Sequence, residues 1–191
     1  MSIAQMWGFT IVFMLAAGAP AAATAAISVI GGGLARACYG AALIEAPPRA
    51  QDFQACDAAI EREILRPRDR AATFVNRAVL HLRVRAGQAA LSDLDRAKGL
   101  APGIADIEVN RAAALLLLRR PEDAARAADA ALAATPSEPW SALYNRAVAR
   151  EMLGDPGGAY ADYNAALSLK PGWQEALDQL ARFQVISSVT E

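Results

Sequence analysis

The sequence predicts an all-α protein built from stacked helix-turn-helix units, and three observations support this fold class. Apolar residues make up 54% of the 191-residue chain but aromatic residues only 6%, so alanine and leucine, which favour helices, dominate. One pattern of small and apolar residues occurs three times, at spacings of 34 and then 35 residues. A proline closes each copy, and proline stops a helix because it lacks a backbone donor.

The N-terminal segment has no charged side chain before Arg36, which is typical of a targeting signal. Its most apolar part, residues 7–19, is followed by the small-residue stretch Ala23-Thr24-Ala25, which fits a cleavage site. We therefore predict a signal peptide over residues 1–25 and a flexible junction over residues 26–33. An uncleaved membrane anchor is the alternative, because no basic residues precede the apolar run and the alanines that follow can lengthen it.

Both interpretations place the rest of the chain outside the cytoplasm, as a periplasmic or secreted protein or as a membrane-anchored one. The two cysteines would then meet an oxidising compartment. Cys38 and Cys56 lie symmetrically about Pro47, and residues equidistant from the turn of an antiparallel helical hairpin face each other. We predict a disulfide within a degenerate hairpin cap over residues 34–70. Two buried free thiols are the alternative.

The repeated pattern begins with the same tripeptide in each copy: Asn76-Arg77-Ala78, Asn110-Arg111-Ala112 and Asn145-Arg146-Ala147. From its alanine, each copy has another alanine twelve residues on, an apolar residue four later, an alanine three later and a proline five beyond. Alanine lets two helices cross closely, and apolar residues at i, i+4 and i+7 form one helix face. The pattern predicts units over residues 71–104, 105–138 and 139–172.

This series of small, small, aromatic, small and proline positions resembles the tetratricopeptide repeat family. The third copy, WSALYNRAVAREMLGDPGGAYADYNAALSLKP, matches best, with Tyr163 at the aromatic position and Gly154 in the turn. The first two copies carry Leu94 and Ala128 instead of the aromatic residue and lack the turn glycine. The resemblance implies a short right-handed α-solenoid with capping helices.

The ends of a solenoid must cover its core. Trp173, Leu177 and Leu180 form one more apolar stripe, which predicts a C-terminal capping helix over residues 173–184. We expect residues 185–191 to form a loosely ordered tail.

The resemblance also indicates which residues bind a ligand. In this family, equivalent asparagines on successive first helices line the concave face and hold a peptide backbone, so the expected ligand residues are Asn76, Asn110 and Asn145. The alternative is that these asparagines bridge neighbouring repeats. Positive charge for a peptide would come from Arg77, Arg111 and Arg146, although pairing with nearby carboxylates is the alternative.

Some members of the family form a carboxylate clamp with a lysine four residues before such an asparagine. Here those positions hold Ala72, Asp106 and Ser141. Binding of the acidic C terminus of a chaperone is therefore not implied.

Other functional classes find little support. The 19 basic and 20 acidic residues leave the chain almost neutral, which disfavours nucleic acid as the main partner. His81 is the only histidine and has no second ligand at metal-binding spacing. The glycines at 31–33 are not followed by the βαβ unit that a dinucleotide loop requires. We expect no cofactor, no metal and no catalysis.

The leading hypothesis is a scaffold outside the cytoplasm that binds an extended peptide or a partner protein on its concave face. One alternative is a membrane-anchored assembly factor that recruits envelope proteins. The other is an enzyme or small-ligand binder with a pocket between repeats.

Overall fold

The computed structural model describes residues 9–13, 22–29, 32–44 and 46–187. Residues 1–8 and 14–21, which belong to the predicted signal peptide, and residues 188–191 of the predicted tail lie outside this description. The helices are α1 (Gly33–Leu43), α2 (Ala50–Arg62), α3 (Pro67–Arg83), α4 (Gly87–Leu100), α5 (Ala105–Leu117), α6 (Pro121–Ala133), α7 (Pro139–Met152), α8 (Pro156–Leu169) and α9 (Gln174–Leu180). The strands are β1 (Phe9–Phe13) and β2 (Phe183–Ser187).

The helices form a stack of helix pairs, which confirms the predicted helical-repeat solenoid. Helices α3 and α4, α5 and α6, and α7 and α8 pack as successive hairpins. The first helices of these hairpins also contact one another, α3 with α5 and α5 with α7. They therefore form a continuous inner wall, and α1 packs against α3 at one end of it.

Fully buried side chains occupy the repeated small and apolar positions. The inner-helix residues Ala78, Ala112 and Ala147 are 0% exposed, and so are the nine repeat residues of the outer helices. Close packing leaves no room for larger groups where two helices cross. Each closing proline follows the end of α4, α6 or α8 by two or three residues, as expected of a residue that cannot continue a helix.

The turns within the repeats share one backbone conformation. Gly154 has a φ of 79°, and Arg85 and Arg119 hold the equivalent places with φ values of 59° and 58°. Only glycine adopts this left-handed region without strain. The first two copies therefore keep the turn of the third one despite lacking its glycine.

The leading hairpin of α1 and α2 contains a Cys38–Cys56 disulfide with a Cα–Cα distance of 4.7 Å. Its boundary with the first repeat differs from the expected one, since α3 begins at Pro67 rather than near residue 71. Proline is well suited to the first position of a helix, where its missing N–H would have no partner.

The C-terminal region also differs from the sequence prediction. The helix expected over residues 173–184 is the shorter α9, and strand β2 follows it. Strand β2 pairs antiparallel with β1, so residues 185–187 are paired rather than part of a loose tail. Among the described residues, no helix is long and apolar enough to cross a membrane.

Candidate binding groove

The inner wall carries a row of asparagines, one on the first helix of each repeat. We call Asn76 on α3, Asn110 on α5 and Asn145 on α7 the asparagine ladder. All three side chains are 0% exposed. A buried amide needs partners for both its donor and its acceptor groups.

The partners belong to an extended segment of the same chain, residues 22–29, which lies along the wall. The ladder binds alternate residues of this segment: Asn145 binds Ala23, Asn110 binds Ala25 and Asn76 binds Ile27. In each pair the side-chain oxygen accepts from the backbone N–H at 2.8 to 3.1 Å. The side-chain nitrogen donates to the carbonyl oxygen of the same residue at 2.7 to 2.8 Å.

These hydrogen bonds involve only backbone groups of the segment and therefore do not depend on its side chains. Every second residue of an extended chain presents its backbone N–H and carbonyl groups on the same side. Three amides, on α3, α5 and α7, are therefore enough to hold the five residues 23–27. The segment runs from the third repeat towards the first, opposite to the order of the repeats. Residues 26–29, which we expected to form part of a flexible junction, are instead fixed in the groove through Ile27 and the buried Val29.

The ladder also links repeats, which was the alternative interpretation. The side chain of Asn145 donates a further hydrogen bond to the carbonyl oxygen of Val109 on the neighbouring first helix, at 3.2 Å. Asn110 donates to the carbonyl oxygen of Asp106 on its own helix. These contacts fix the orientation of the amides that face the segment.

A cavity of about 550 Å³ remains open beside the bound segment. Thr24 and Ala26 line it from the segment and Tyr144 from α7. At one end Lys170 lies over two indole rings, 5.0 Å from the centroid of Trp173 and 5.5 Å from that of Trp140, as in cation–π contacts.

The three repeat arginines point to the outer helices. Arg77 donates two hydrogen bonds to Asp93 on α4, at 2.6 and 2.7 Å, and one to Asp57 on α2. The hydrogen bonds to Asp93 raise the pKa of Arg77 above its usual value. Each arginine thus bridges its own repeat to the preceding helical pair.

The same arrangement recurs for Arg146, which binds Asp162 on α8 and Asp129 on α6. Its hydrogen bonds to Asp162 likewise raise its pKa. Arg111 pairs with Asp95 and Glu108. These ion pairs are the alternative role considered for the arginines, and their contact with a peptide stays a prediction.

None of the positions that carry the clamp lysine in some tetratricopeptide repeat proteins supplies positive charge here. Ala72 is buried beside Val29. The Asp106 carboxylate accepts from the backbone and hydroxyl groups of Ser137, and Ser141 donates to Glu138. The groove therefore has no clamp for an acidic peptide end at these three places.

His81 lies behind the groove, with its ring 5.0 Å from that of Phe53. Burial lowers the pKa of the His81 imidazole below its usual value. In the described part of the chain, no group of three or more histidine, cysteine, aspartate or glutamate side chains has a metal-binding arrangement.

The recurrence of Asn-Arg-Ala in the sequence predicts the three asparagines of the ladder, but it does not predict which residues lie against them. The sequence of residues 22–29 predicts partly a signal peptide and partly a junction, because small uncharged residues are typical of both. The hydrogen bond between Ala23 and Asn145 spans 122 residues, and a contact at that separation leaves no local periodicity. The alternation of Ala25, Ile27 and Val29 was the only available signal.

No protein-family model matches the sequence, and no curated protein does. Solved structures do match. The TPR domain of Arabidopsis OM64 is 24% identical, with a TM-score of 0.56, over 61% of this chain and 95% of that domain. PilW, a widely conserved type IV pilus biogenesis factor, is 25% identical, with a TM-score of 0.61, over 70% of this chain and 62% of its own.

A third similar structure is the second TPR domain of human RPAP3 in complex with the HSP70 peptide SGPTIEEVD. It is 24% identical, with a TM-score of 0.54, over 60% of this chain and 95% of that domain. Together with the helical pairs and the repeat residues, these matches define the fold of the chain: it is a helical-repeat solenoid of the tetratricopeptide type. The asparagine ladder and the segment bound to it are the particular features of this chain.

Proposed function

We propose that this protein is an interaction scaffold outside the cytoplasm, whose groove holds an extended segment of a partner protein by its backbone. The observation that carries the proposal is the set of six hydrogen bonds between the ladder and the segment 22–29. An asparagine amide matches the donor and acceptor of a peptide group. A groove that binds an extended segment of its own chain through backbone groups can bind an extended segment of another protein in the same way.

The similar structures support binding rather than catalysis. The RPAP3 domain was solved with a peptide, and PilW is named as a biogenesis factor. We propose the same general role here, with a different ligand chemistry, since the clamp positions Ala72, Asp106 and Ser141 carry no lysine.

The location outside the cytoplasm rests on two features. The Cys38–Cys56 bridge suits an oxidising compartment, because cytoplasmic proteins seldom keep structural disulfides. The uncharged N terminus before Arg36 suits a targeting signal. Fractionation tests this location. A full-length chain that stays with the membrane would favour the anchored assembly factor instead.

The test of the binding role is affinity capture of the tagged protein from its envelope fraction. The double variant Asn110→Ala, Asn145→Ala removes two of the three amides of the ladder, and we expect it to lose partners that the wild type retains. Asn164→Ala is the matched control, because this asparagine is exposed on outer helix α8 and its side chain donates to the carbonyl oxygen of Tyr160 on the same helix. Equal capture by both variants, with helicity retained, would contradict the proposed role.

A further inference from the structure

We propose that the groove selects partner segments by side-chain size, taking an alanine-sized residue at its centre, and that residues 22–29 occupy it as a tethered competitor. This inference rests on the proposed function and adds the chemistry of the partner. It also adds the condition under which the partner can enter.

The size limit follows from the surroundings of Ala25. Its side chain is 1% exposed and packs against Val109, Ala131 and Ala142. These three residues belong to α5, α6 and α7, so the methyl group ends in a site closed by three helices. A larger side chain would have to push packed helices apart, which close-packed interiors resist.

A second site lies four residues towards the C terminus of the segment. Val29 is 7% exposed among Ala35, Ala59 and Ala72, so a branched aliphatic side chain fits there. Ser28, in contrast, is exposed. The groove therefore matches an uncharged extended segment with a small residue at the position bound by Asn110 and an aliphatic residue four positions later.

The chain's own segment fills this site while it remains attached. A short tether holds a ligand at an effective concentration of about 1 mM. A free segment that binds the empty groove with a Kd of about 0.1 mM would then bind roughly tenfold more weakly to the occupied groove. An incoming partner must therefore displace residues 22–29 before it reaches the ladder.

The experiment opens the groove in the full-length chain with Ala25→Glu, because a carboxylate without a partner is strongly disfavoured at a buried site. The probes are labelled peptides with the sequence of residues 22–29, AATAAISV. One carries the parent sequence, one carries Ala25→Leu and one carries Ser28→Leu as the matched control. Binding is measured by fluorescence anisotropy, and helicity by circular dichroism.

We expect the Ala25→Glu chain to bind the parent and Ser28→Leu peptides equally and the Ala25→Leu peptide at least tenfold more weakly. We expect the wild-type chain to bind the parent peptide about tenfold more weakly than the opened one. Adding Asn110→Ala to the opened chain should abolish binding. If Ala25→Glu loses helicity, Ala23→Pro replaces it, because proline lacks the N–H that Asn145 accepts.

The outcomes separate this inference from the function on which it rests. Equal binding of the leucine and parent peptides would overturn size selection and leave backbone binding by the ladder intact. Equal affinity of the wild-type and opened chains would overturn the competitor role. A folded, opened chain that binds none of the peptides would overturn the proposed function itself.

Discussion

At the scale of single residues, the asparagine ladder shows how a side chain substitutes for a neighbouring strand. Each amide supplies one donor and one acceptor, as a peptide group does. Its burial makes the pairing obligatory, because an unsatisfied polar group in the interior destabilises the fold. The ladder therefore binds the extended segment and also contributes to the stability of the fold.

This double role predicts the stability of ladder variants. Asn110→Ala leaves the N–H and carbonyl groups of Ala25 without their side-chain partners, and we expect the free energy of unfolding to fall by about 1–3 kcal/mol. Denaturant unfolding measures it. The exposed Asn164→Ala should change the same quantity by less than about 0.5 kcal/mol. Equal effects would mean that the segment does not depend on the ladder.

The left-handed turn residues make a second prediction at this scale. Arg119 is exposed with a φ of 58°, so Arg119→Gly should relieve strain and stabilise the protein by about 0.5–1 kcal/mol after the entropic cost of glycine. The matched substitution Gly154→Ala should destabilise it by about 1 kcal/mol, because φ there is 79°. Thermal unfolding of both variants checks the sign. Shifts in the same direction would contradict the argument.

At the scale of helices, Arg77 and Arg146 each join an inner helix to two outer ones, whereas Arg111 reaches one outer helix through Asp95. The two carboxylates that bind Arg146 differ in burial: the Asp162 side chain is 5% exposed and that of Asp129 is 59% exposed. Asp162 also pairs with Arg150 at 2.8 Å. The buried carboxylate thus pairs with two arginines of the same inner helix.

This difference predicts unequal effects of two similar substitutions. Asp162→Ala should lower the free energy of unfolding by about 3 kcal/mol, as expected when one member of a buried ion pair is removed. Asp129→Ala should lower it by less than about 1 kcal/mol, since exposed pairs contribute little. Denaturant unfolding in low and high salt distinguishes the two. An equal loss for both would mean that burial does not decide the strength of these pairs.

The same scale shows what the sequence can predict. The repeated alanines and prolines mark helices α3 to α8 because every repeat has the same packing requirement at the same spacing. The pairing of β1 with β2 has no such signature, since it joins the two ends of the chain. The length of α9 was overestimated for a related reason, as the apolar stripe continues to Phe183, which belongs to the strand that follows.

For the candidate site, the sequence predicts which residues recur but not what each of them contacts. Asn76, Asn110 and Asn145 were found because they recur at one position of the repeat. The arginines beside them recur equally well, and yet each of them pairs with a carboxylate on an outer helix. Periodicity identifies residues with a shared role, but it does not show whether their side chains contact the groove or the outer helices.

At the scale of the whole molecule, the Cys38–Cys56 disulfide ties the leading hairpin into one unit. The hairpin packs on α3 and supplies two of the three alanines that bury Val29, Ala35 and Ala59. A bridge over 18 residues should contribute about 3 kcal/mol by restricting the unfolded chain. We expect the double variant Cys38→Ala, Cys56→Ala to lose this amount.

Denaturant unfolding of this variant, with and without a reductant, provides the test. Reductant should destabilise the wild type and leave the variant unchanged. A wild type that is insensitive to reductant, with free thiols by intact mass, would contradict the disulfide.

The position of the bound segment links the predicted cleavage of a signal peptide to the occupancy of the groove. A cut after Ala25, the site that the sequence predicts, would remove Ala23 and Ala25 together with their four hydrogen bonds to Asn145 and Asn110. Only Ile27 would keep its amide partner, next to a new positively charged amine at residue 26. Asn145 and Asn110 would then keep only their hydrogen bonds to the carbonyl oxygens of Val109 and Asp106, and two of the three ladder positions would be open to the segment of a partner.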